Sequence, residues 1–297
     1  MSSSGDTLGD MDYLSFSQYN TYTRCPRSWY LGKVRRAEET PTWFLPIGTA
    51  VHTMVENWLT SEVSADLLPT AEETFYPLIT RQMEVEPDTS KWLAGGSKDS
   101  PVTEDRALQK VKDCFERALE YLDEWDVWEV EYDASGSLPG LEIPIKAYVD
   151  IIGEHKGKVV NGQRKGGKGP GIGDWKTGTQ KPKDNFQLET YSALVLHNGF
   201  PSAQGGDTYS ALKWGHWFML DPNASKARPI DLSAVSPAEV GAKYQLVYKK
   251  MQAKMYQTKA APFKCDYCFH RDNCKLIAGP TPRALHYDKA EEDGFPF

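Results

Sequence analysis

Apolar positions recur every three or four residues in the first third of the chain and every two residues in the middle. Ser15 and Ser17 open a helix that runs through Tyr19 and Tyr22, and Cys25-Pro26 breaks it before a second helical piece through Trp29, Tyr30 and Leu31. A loop holding Pro41 and Pro46 leads to a helix from Gly48 to Leu59, whose apolar stripe is Val51, Val55, Trp58 and Leu59. Further helices are predicted over Ala71–Gln82 and Glu104–Trp125. In the latter, Leu108, Val111, Phe115, Leu119 and Leu122 repeat at helical spacing and Cys114 is a packing residue. From Val127 the period becomes two. Val127–Tyr132 and Leu141–Ile152 read as strands, and a short strand near Val159 pairs with Ile172–Lys176 across a basic, glycine-rich loop. A helix over Asp184–Asn198, a strand over Thr208–Leu220 and a helix over Pro237–Tyr256 complete the pattern. The order implies an α/β protein with a central sheet and a helical N-terminal part.

Composition adds little to this picture. The chain has 297 residues with a net charge of -7, from 34 basic and 41 acidic side chains. That balance does not announce a nucleic-acid binder, although a basic groove can sit on an acidic protein. No apolar run approaches the roughly 18 residues of a membrane span, and the polar start carries no signal peptide, so a cytoplasmic location is expected. Five cysteines without a secretory signal argue against a disulfide framework.

The candidate chemistry begins in Gly171-Ile172-Gly173-Asp174-Trp175-Lys176-Thr177-Gly178. Side chains alternate along a strand, so Asp174 and Lys176 share a face. Asp150 interrupts the apolar strand Ala147–Ile152, where a carboxylate is costly unless paired. Two acids at neighbouring strand ends beside a lysine offer hard oxygen ligands suited to Mg²⁺ or Mn²⁺. Gln187 and Tyr191 are one helical turn apart and share a face. His52 can complete a metal shell from near the start of its helix.

Cys265, Cys268 and Cys274 form a C-x2-C-x5-C array. Three thiolates leave a four-coordinate site one ligand short. Cys25 and His270 are the candidates for the fourth position, with either iron–sulfur or zinc as the occupant.

Together these residues resemble the PD-(D/E)XK nucleases typified by the RecB and AddB nuclease domains and the CRISPR-associated Cas4 proteins. The pieces that carry the resemblance are Gly48-Thr49-Ala50-Val51-His52 with Glu56, Tyr148-Val149-Asp150, Gly173–Gly178, and Gln187-Leu188-Glu189-Thr190-Tyr191, which fits a Q-x-x-x-Y element. The resemblance implies a restriction-endonuclease-like mixed sheet flanked by helices and a metal-dependent DNA exonuclease serving recombination, repair or end processing, of a free-standing, phage type. It places His52, Asp150, Asp174 and the backbone carbonyl of Trp175 on the metal and makes Lys176 the catalytic lysine, with Gln187 and Tyr191 in support. It gives the cysteines a [4Fe-4S] cluster held by Cys25, Cys265, Cys268 and Cys274. Either Glu129 or Glu131 matches the family's preceding strand acid. Tyr148 stands where the family often has glycine, which implies a local packing difference. No Walker motif is present, so the chain is not a complete helicase–nuclease. A non-catalytic DNA-binding or assembly factor and a structure-specific endonuclease are the competing readings.

The implied organisation is a flexible start over 1–14, a helical part over 15–125 that supplies Cys25 and His52, a nuclease core over 126–260, an iron–sulfur segment over 261–279 packed on the N-terminal part, and an acidic tail over 280–297. Lys156, Lys158, Arg164, Lys165 and Lys168 are candidate phosphate contacts. Among Tyr22, Trp29, Tyr30, Tyr267 and Phe269, one or two could stack bases of a single strand. The ending Glu291-Glu292-Asp293-Gly294-Phe295-Pro296-Phe297 resembles the tip of bacterial single-stranded-DNA-binding proteins. It implies a replication or repair partner docked through Pro296 and Phe297.

Overall fold

A computed structural model describes residues 11–94, 100–200 and 212–274. The first strand, β1 (Leu14–Ser15), runs into α1 (Phe16–Arg24), which the Ser15 hydroxyl caps by accepting from Gln18 N–H at 3.2 Å. Cys25 is extended at the break, and Pro26 opens α2 (Pro26–Lys33), where its missing N–H costs nothing. The next helix, α3 (Phe44–Thr60), starts four residues before the expected Gly48, because Pro46 lies in the first turn and needs no intrahelical donor there. His52 is therefore in the middle of its helix, not near its start. α4 (Ala71–Met83), with a Thr70–Glu73 capping box, follows expectation, and α5 (Glu104–Leu122) starts where expected. The helix expected to reach Trp125 ends at Leu122, and Trp125 instead begins β2 (Trp125–Asp133).

The stretch Leu141–Ile152 resolves into β3 (Ile145–Lys146), which pairs in parallel with β1, and the start of β4 (Tyr148–Val160). With β5 (Gln163–Lys176), β4 makes one long antiparallel hairpin. Its turn is Asn161-Gly162, both at positive φ (52° and 75°), the backbone that a tight hairpin turn needs. What reads as a basic loop is thus paired strand, with one break in register between His155 and Gly157. A crossover through α6 (Phe186–Asn198) leads to β6 (Trp214–Met219), parallel to β5, and β7 (Ile230–Asp231) closes the sheet in the order β2-β4-β5-β6-β7. Residues 208–211 of the longer expected strand lie outside the described residues. The chain then forms α7 (Pro237–Gln252), four residues shorter than expected, and α8 (Pro262–Asp266).

The sheet is covered on both faces. Against one, α3, α4 and α5 pack Trp43, Val51, Val55, Phe75 and Val111 onto Ile151, Trp175 and Phe218. Against the other, α1, α2, α6 and α7 pack Tyr22, Trp29, Leu188, Leu194 and Tyr244 onto Ile152, Ile172 and Trp217. The helical part over 15–125 therefore divides between the two layers. The C-terminal segment returns to the N-terminal helices, with the Lys264 carbonyl accepting from Arg24 at 3.0 Å and the Phe269 carbonyl from Thr40 N–H at 2.7 Å. Among the described residues no helix is long and apolar enough to cross a membrane.

Candidate active site

The ladder between β4 and β5 ends at Ile151 and Gly173. One residue beyond on each strand stand Asp150 and Asp174, both buried. Gly173 allows this approach, since a Cβ there would fall 2.0 Å from the Phe218 ring. Where the ladder stops, the Asp150 side chain accepts from the Trp175 main-chain N–H at 2.7 Å. A residue in a strand presents its N–H and C=O to the same edge, so the Trp175 carbonyl is directed toward the Asp150 strand.

From the α3 layer, His52 reaches this point. Its Nδ1 is 3.8 Å from Asp150 Oδ1 and 3.8 Å from Glu131 Oε1. Glu131 is thereby selected over Glu129. Its neighbours Val130 and Tyr132 pair with Ile151 and Val149, which sets Glu131 across from Asp150, and its own backbone is left-handed at φ 48°. His52, Glu131 and Asp150 offer ligand atoms within 4.8 Å of one another, a set able to hold a metal ion. An oxygen-rich shell with one imidazole suits Mg²⁺ or Mn²⁺. Burial lowers the His52 pKa, but the Glu131 hydrogen bond and the charges of Asp150 and Asp174 outweigh it and lift it to about 9. Burial, then the neighbouring Asp174, raises Asp150 to about 7. Glu56, one turn beyond His52, is exposed.

From the α6 layer, Gln187 connects the acid to the base. Its Nε2 donates to Asp174 Oδ1 at 2.6 Å and to the Tyr191 hydroxyl at 2.8 Å, while its Oε1 accepts from Lys176 Nζ at 3.2 Å. Lys176 also forms a close ion pair with Asp174. A side-chain amide donates to a carboxylate through its nitrogen and accepts from an ammonium through its oxygen. Burial, then Asp174 and Asp150, pushes the Tyr191 hydroxyl well up, so it stays protonated. Two further residues that no sequence pattern singles out touch this group. The Trp217 ring lies 5.1 Å below Lys176 Nζ, and its indole N–H donates to Asn185 Oδ1 at 3.2 Å. Tyr148 does not fill the cleft; it is exposed, with Lys146 Nζ 5.5 Å from its ring centre.

Cys25, Cys265, Cys268 and Cys274 all line one cavity of about 80 Å³. All four are free thiols. Cys265 is raised first by burial, with further upward contributions from Cys268, Cys25 and Cys274, a sign of how closely they gather. Yet the only trio of potential ligand atoms within 4.8 Å of one another, among the described residues, is the one around His52. Four thiols around one cavity are able to hold a shared group, either zinc or an iron–sulfur cluster. His270 does not line this cavity. It is buried against Gly32, with its ring near the Glu38 carbonyl and Glu39. Of the aromatic candidates, Tyr22, Trp29 and Tyr30 are core residues, and Phe269 packs against Phe44; Tyr267 is exposed.

The basic candidates sit elsewhere. Asp150 is at the start of β4 and Asp174 at the end of β5, so the hairpin tip points away from the acids. At about 3.3 Å per residue, Lys158 and Lys165 lie roughly 25–30 Å along the strands from them. The segment does join the two acidic strands, at the end opposite the acids. Several of its charges are also met locally: Lys156 by Asp126 at 2.7 Å, Lys158 by Glu124 at 3.6 Å, and Arg164 by the Gly157 carbonyl at 2.8 Å and the Asp123 carbonyl. Lys168 stands over the Trp214 ring. Pro296 and Phe297 lie outside the described residues.

A mixed sheet between two helical layers, with Asp150, Asp174 and Lys176 at the ends of neighbouring strands, is the arrangement of a restriction-endonuclease-like nuclease. The chain belongs to the PD-(D/E)XK nuclease superfamily, whose family model matches residues 13–275. Membership implies a phosphodiester hydrolase that uses a divalent metal such as Mg²⁺ or Mn²⁺. Similar proteins include the Gene 69 protein of Mycobacterium phage L5, 24% identical over 316 residues that cover 92% of this chain and 99% of the phage protein. The Gene 69 protein of Mycobacterium phage D29 is 25% identical over 288 residues, covering 89% and 96%.

Proposed function

We propose that the protein is a metal-dependent DNA exonuclease of the RecB, AddB and Cas4 kind, acting on DNA ends in recombination, repair or replication. The observation that carries this reading is the Gln187 bridge, which holds Asp174 and Lys176 side by side next to Asp150. His52, Glu131, Asp150, Asp174 and the Trp175 carbonyl are the metal ligands. A Mg²⁺ or Mn²⁺ bound by these residues would supply a lowered pKa for water and charge to offset the phosphate. Lys176 supplies a proton donor and positive charge to the pentavalent phosphorus transition state. Gln187 fixes the Lys176 ammonium, and Tyr191 fixes Gln187. Lys165 and Lys168 on the hairpin meet phosphates distant from the cut, adding affinity without sequence preference.

The four cysteines are proposed to hold a [4Fe-4S] cluster. The gathering of all four around one cavity supports a shared bound group, the family resemblance favours a cluster over zinc, and a reducing compartment such as the cytoplasm keeps such thiols free. The cluster joins α1 and α2 to the far end of the chain and so closes the two helical layers about the sheet.

The test is digestion of end-labelled linear DNA beside covalently closed circular DNA, with Mn²⁺ or Mg²⁺, by anaerobically purified protein. Linear DNA should be degraded, circular DNA spared, and both Asp174→Ala and Lys176→Ala should be inactive. Cleavage of the circle would identify an endonuclease instead, and activity that survives both substitutions would remove the assigned site.

A further inference from the structure

We infer that Trp217, set by Asn185, is a positioning residue for the Lys176 ammonium; the inference rests on the nuclease reading only for its kinetic consequence. Parallel pairing of β5 with β6 places Trp217 opposite Asp174, two residues from the partner of Lys176. Side chains at matched positions of paired strands share a face, so the indole lies beneath the Asp174–Lys176 pair. Trp217 is fully buried, and Lys176 Nζ stands 5.1 Å from its ring centre. That lies inside the range in which an aromatic face attracts a cation.

The ring cannot swing away. Its Nε1–H donates to Asn185 Oδ1 at 3.2 Å, and Asn185 immediately precedes α6. Its side chain makes no cap to that helix, leaving the carbonyl for the indole. Two residues on, Gln187 accepts from the same ammonium at 3.2 Å. The first turn of α6 therefore controls Lys176 twice, once through an amide oxygen and once through the indole.

The two supports differ chemically from the third. Asp174 is both the nearest counter-charge of Lys176 and a candidate metal ligand, so its oxygens serve two partners. An aromatic face has no lone pair to offer a hard cation. Trp217 thus gives the ammonium an attraction that does not compete with the metal.

The test reads geometry and rate separately. In protein labelled with ¹³Cε-lysine, the Lys176 signal, assigned by its loss in Lys176→Arg, should lie upfield of ordinary lysines because of the indole ring current. It should return to the ordinary position in Trp217→Leu, stay partly displaced in Trp217→Phe, and move in Asn185→Ala. A Lys176 signal that is ordinary in the parent, or unmoved by Trp217→Leu and Asn185→Ala, overturns the inference. In single-turnover nuclease assays Trp217→Leu should slow the maximal rate about 10-fold with half-saturating DNA unchanged, and Trp217→Phe should recover most of it. A Trp217→Leu rate loss with the Lys176 signal unmoved would make Trp217 a packing residue only. A parent without nuclease activity whose Lys176 signal still moves in Trp217→Leu sinks the nuclease reading and leaves the cation–ring pairing standing. Should Trp217→Leu fail to fold, Asn185→Ala, at a partly exposed position, carries the same spectroscopic test.

Discussion

The Asp150 carboxylate accepts the Trp175 main-chain N–H at 2.7 Å, at the point where β4 and β5 cease to pair. A side chain has taken the place of a ladder rung. The acid thereby satisfies a buried donor that would otherwise be orphaned and keeps the two strand ends at a fixed separation. The same carboxyl faces His52 at 3.8 Å through its other oxygen, so one residue ties the strand ends with one atom and faces the candidate metal site with the other.

These two roles separate by substitution. Asp150→Asn keeps an oxygen able to accept from Trp175 but removes the charge. It should abolish metal-dependent cleavage while leaving the melting temperature close to that of the parent. Asp150→Leu leaves the Trp175 N–H buried without a partner, a loss of about 1–3 kcal/mol, and should lower thermal stability as well. Equal melting temperatures for the two variants would remove the structural half of this account.

Gln187 gives a sharper case, because its amide reads opposite charges at its two ends. Gln187→Glu sets a carboxylate against Asp174, where a 2.6 Å hydrogen bond stood. Hydrogen bonds to charged groups contribute roughly 1.5–3 kcal/mol, so a rate loss of about 10- to 100-fold is expected. The charge-neutral Gln187→Met should lose less than Gln187→Glu. Saturating-substrate rates measured for both check the order, and a reversed order contradicts the bridge.

Protons and metal compete at the cleft. The folded pKa of His52 is raised to about 9, so its protonated form stabilises the metal-free protein below the unfolded value near 6.5, and this contribution is lost as pH rises through about 9. Asp150, raised to about 7, acts in the same direction: its protonated form is favoured on folding, and the metal-free protein weakens as pH rises through that value. A metal ion requires both groups deprotonated. Metal affinity should therefore rise with pH between about 6 and 9, and the thermal stabilisation by added Mn²⁺ should grow over the same window. Calorimetry in two buffers of different ionisation enthalpy should show proton release on binding. A binding heat independent of buffer would count against His52 and Asp150 as ligands.

Much of this site is legible in the amino-acid sequence. Asp150 and Asp174 stand out because acids in apolar strands need partners, and Gln187 and Tyr191 because helical spacing stacks them. Glu131 is not legible in that way. Period-two alternation gives Glu129 and Glu131 the same face, and only the register of β2 against β4, which sets Glu131 across from Asp150, with a left-handed backbone at Glu131, brings one of them to His52. The basic segment misleads for a related reason. Its composition is that of a loop, yet Asn161-Gly162 makes the turn and the lysines become strand. Antiparallel geometry then carries them to the far end from the acids. Trp217 is invisible in sequence because its role depends on the register between two strands that are joined by a helix.

The cysteines make the last prediction, and Cys114 is its control. Cys114 is buried in α5, and burial pushes its thiol up to about 12, which marks an unreactive packing residue. Cys25 instead lines the cavity shared with Cys265, about 240 residues away in sequence. When a bound group joins such distant elements, its binding free energy is folding free energy. Cys25→Ser should strip the brown colour from anaerobically purified protein, with iron and sulfide falling together. It should also lower the melting temperature by on the order of 10 °C, since about 1 kcal/mol corresponds to a few degrees in a chain of this size. Cys114→Ser should keep the colour and lose stability only through a buried hydroxyl. If the thiols hold a cluster, added zinc should not restore the melting temperature of apo protein to that of the brown form; full restoration by zinc would reassign the site to a single ion.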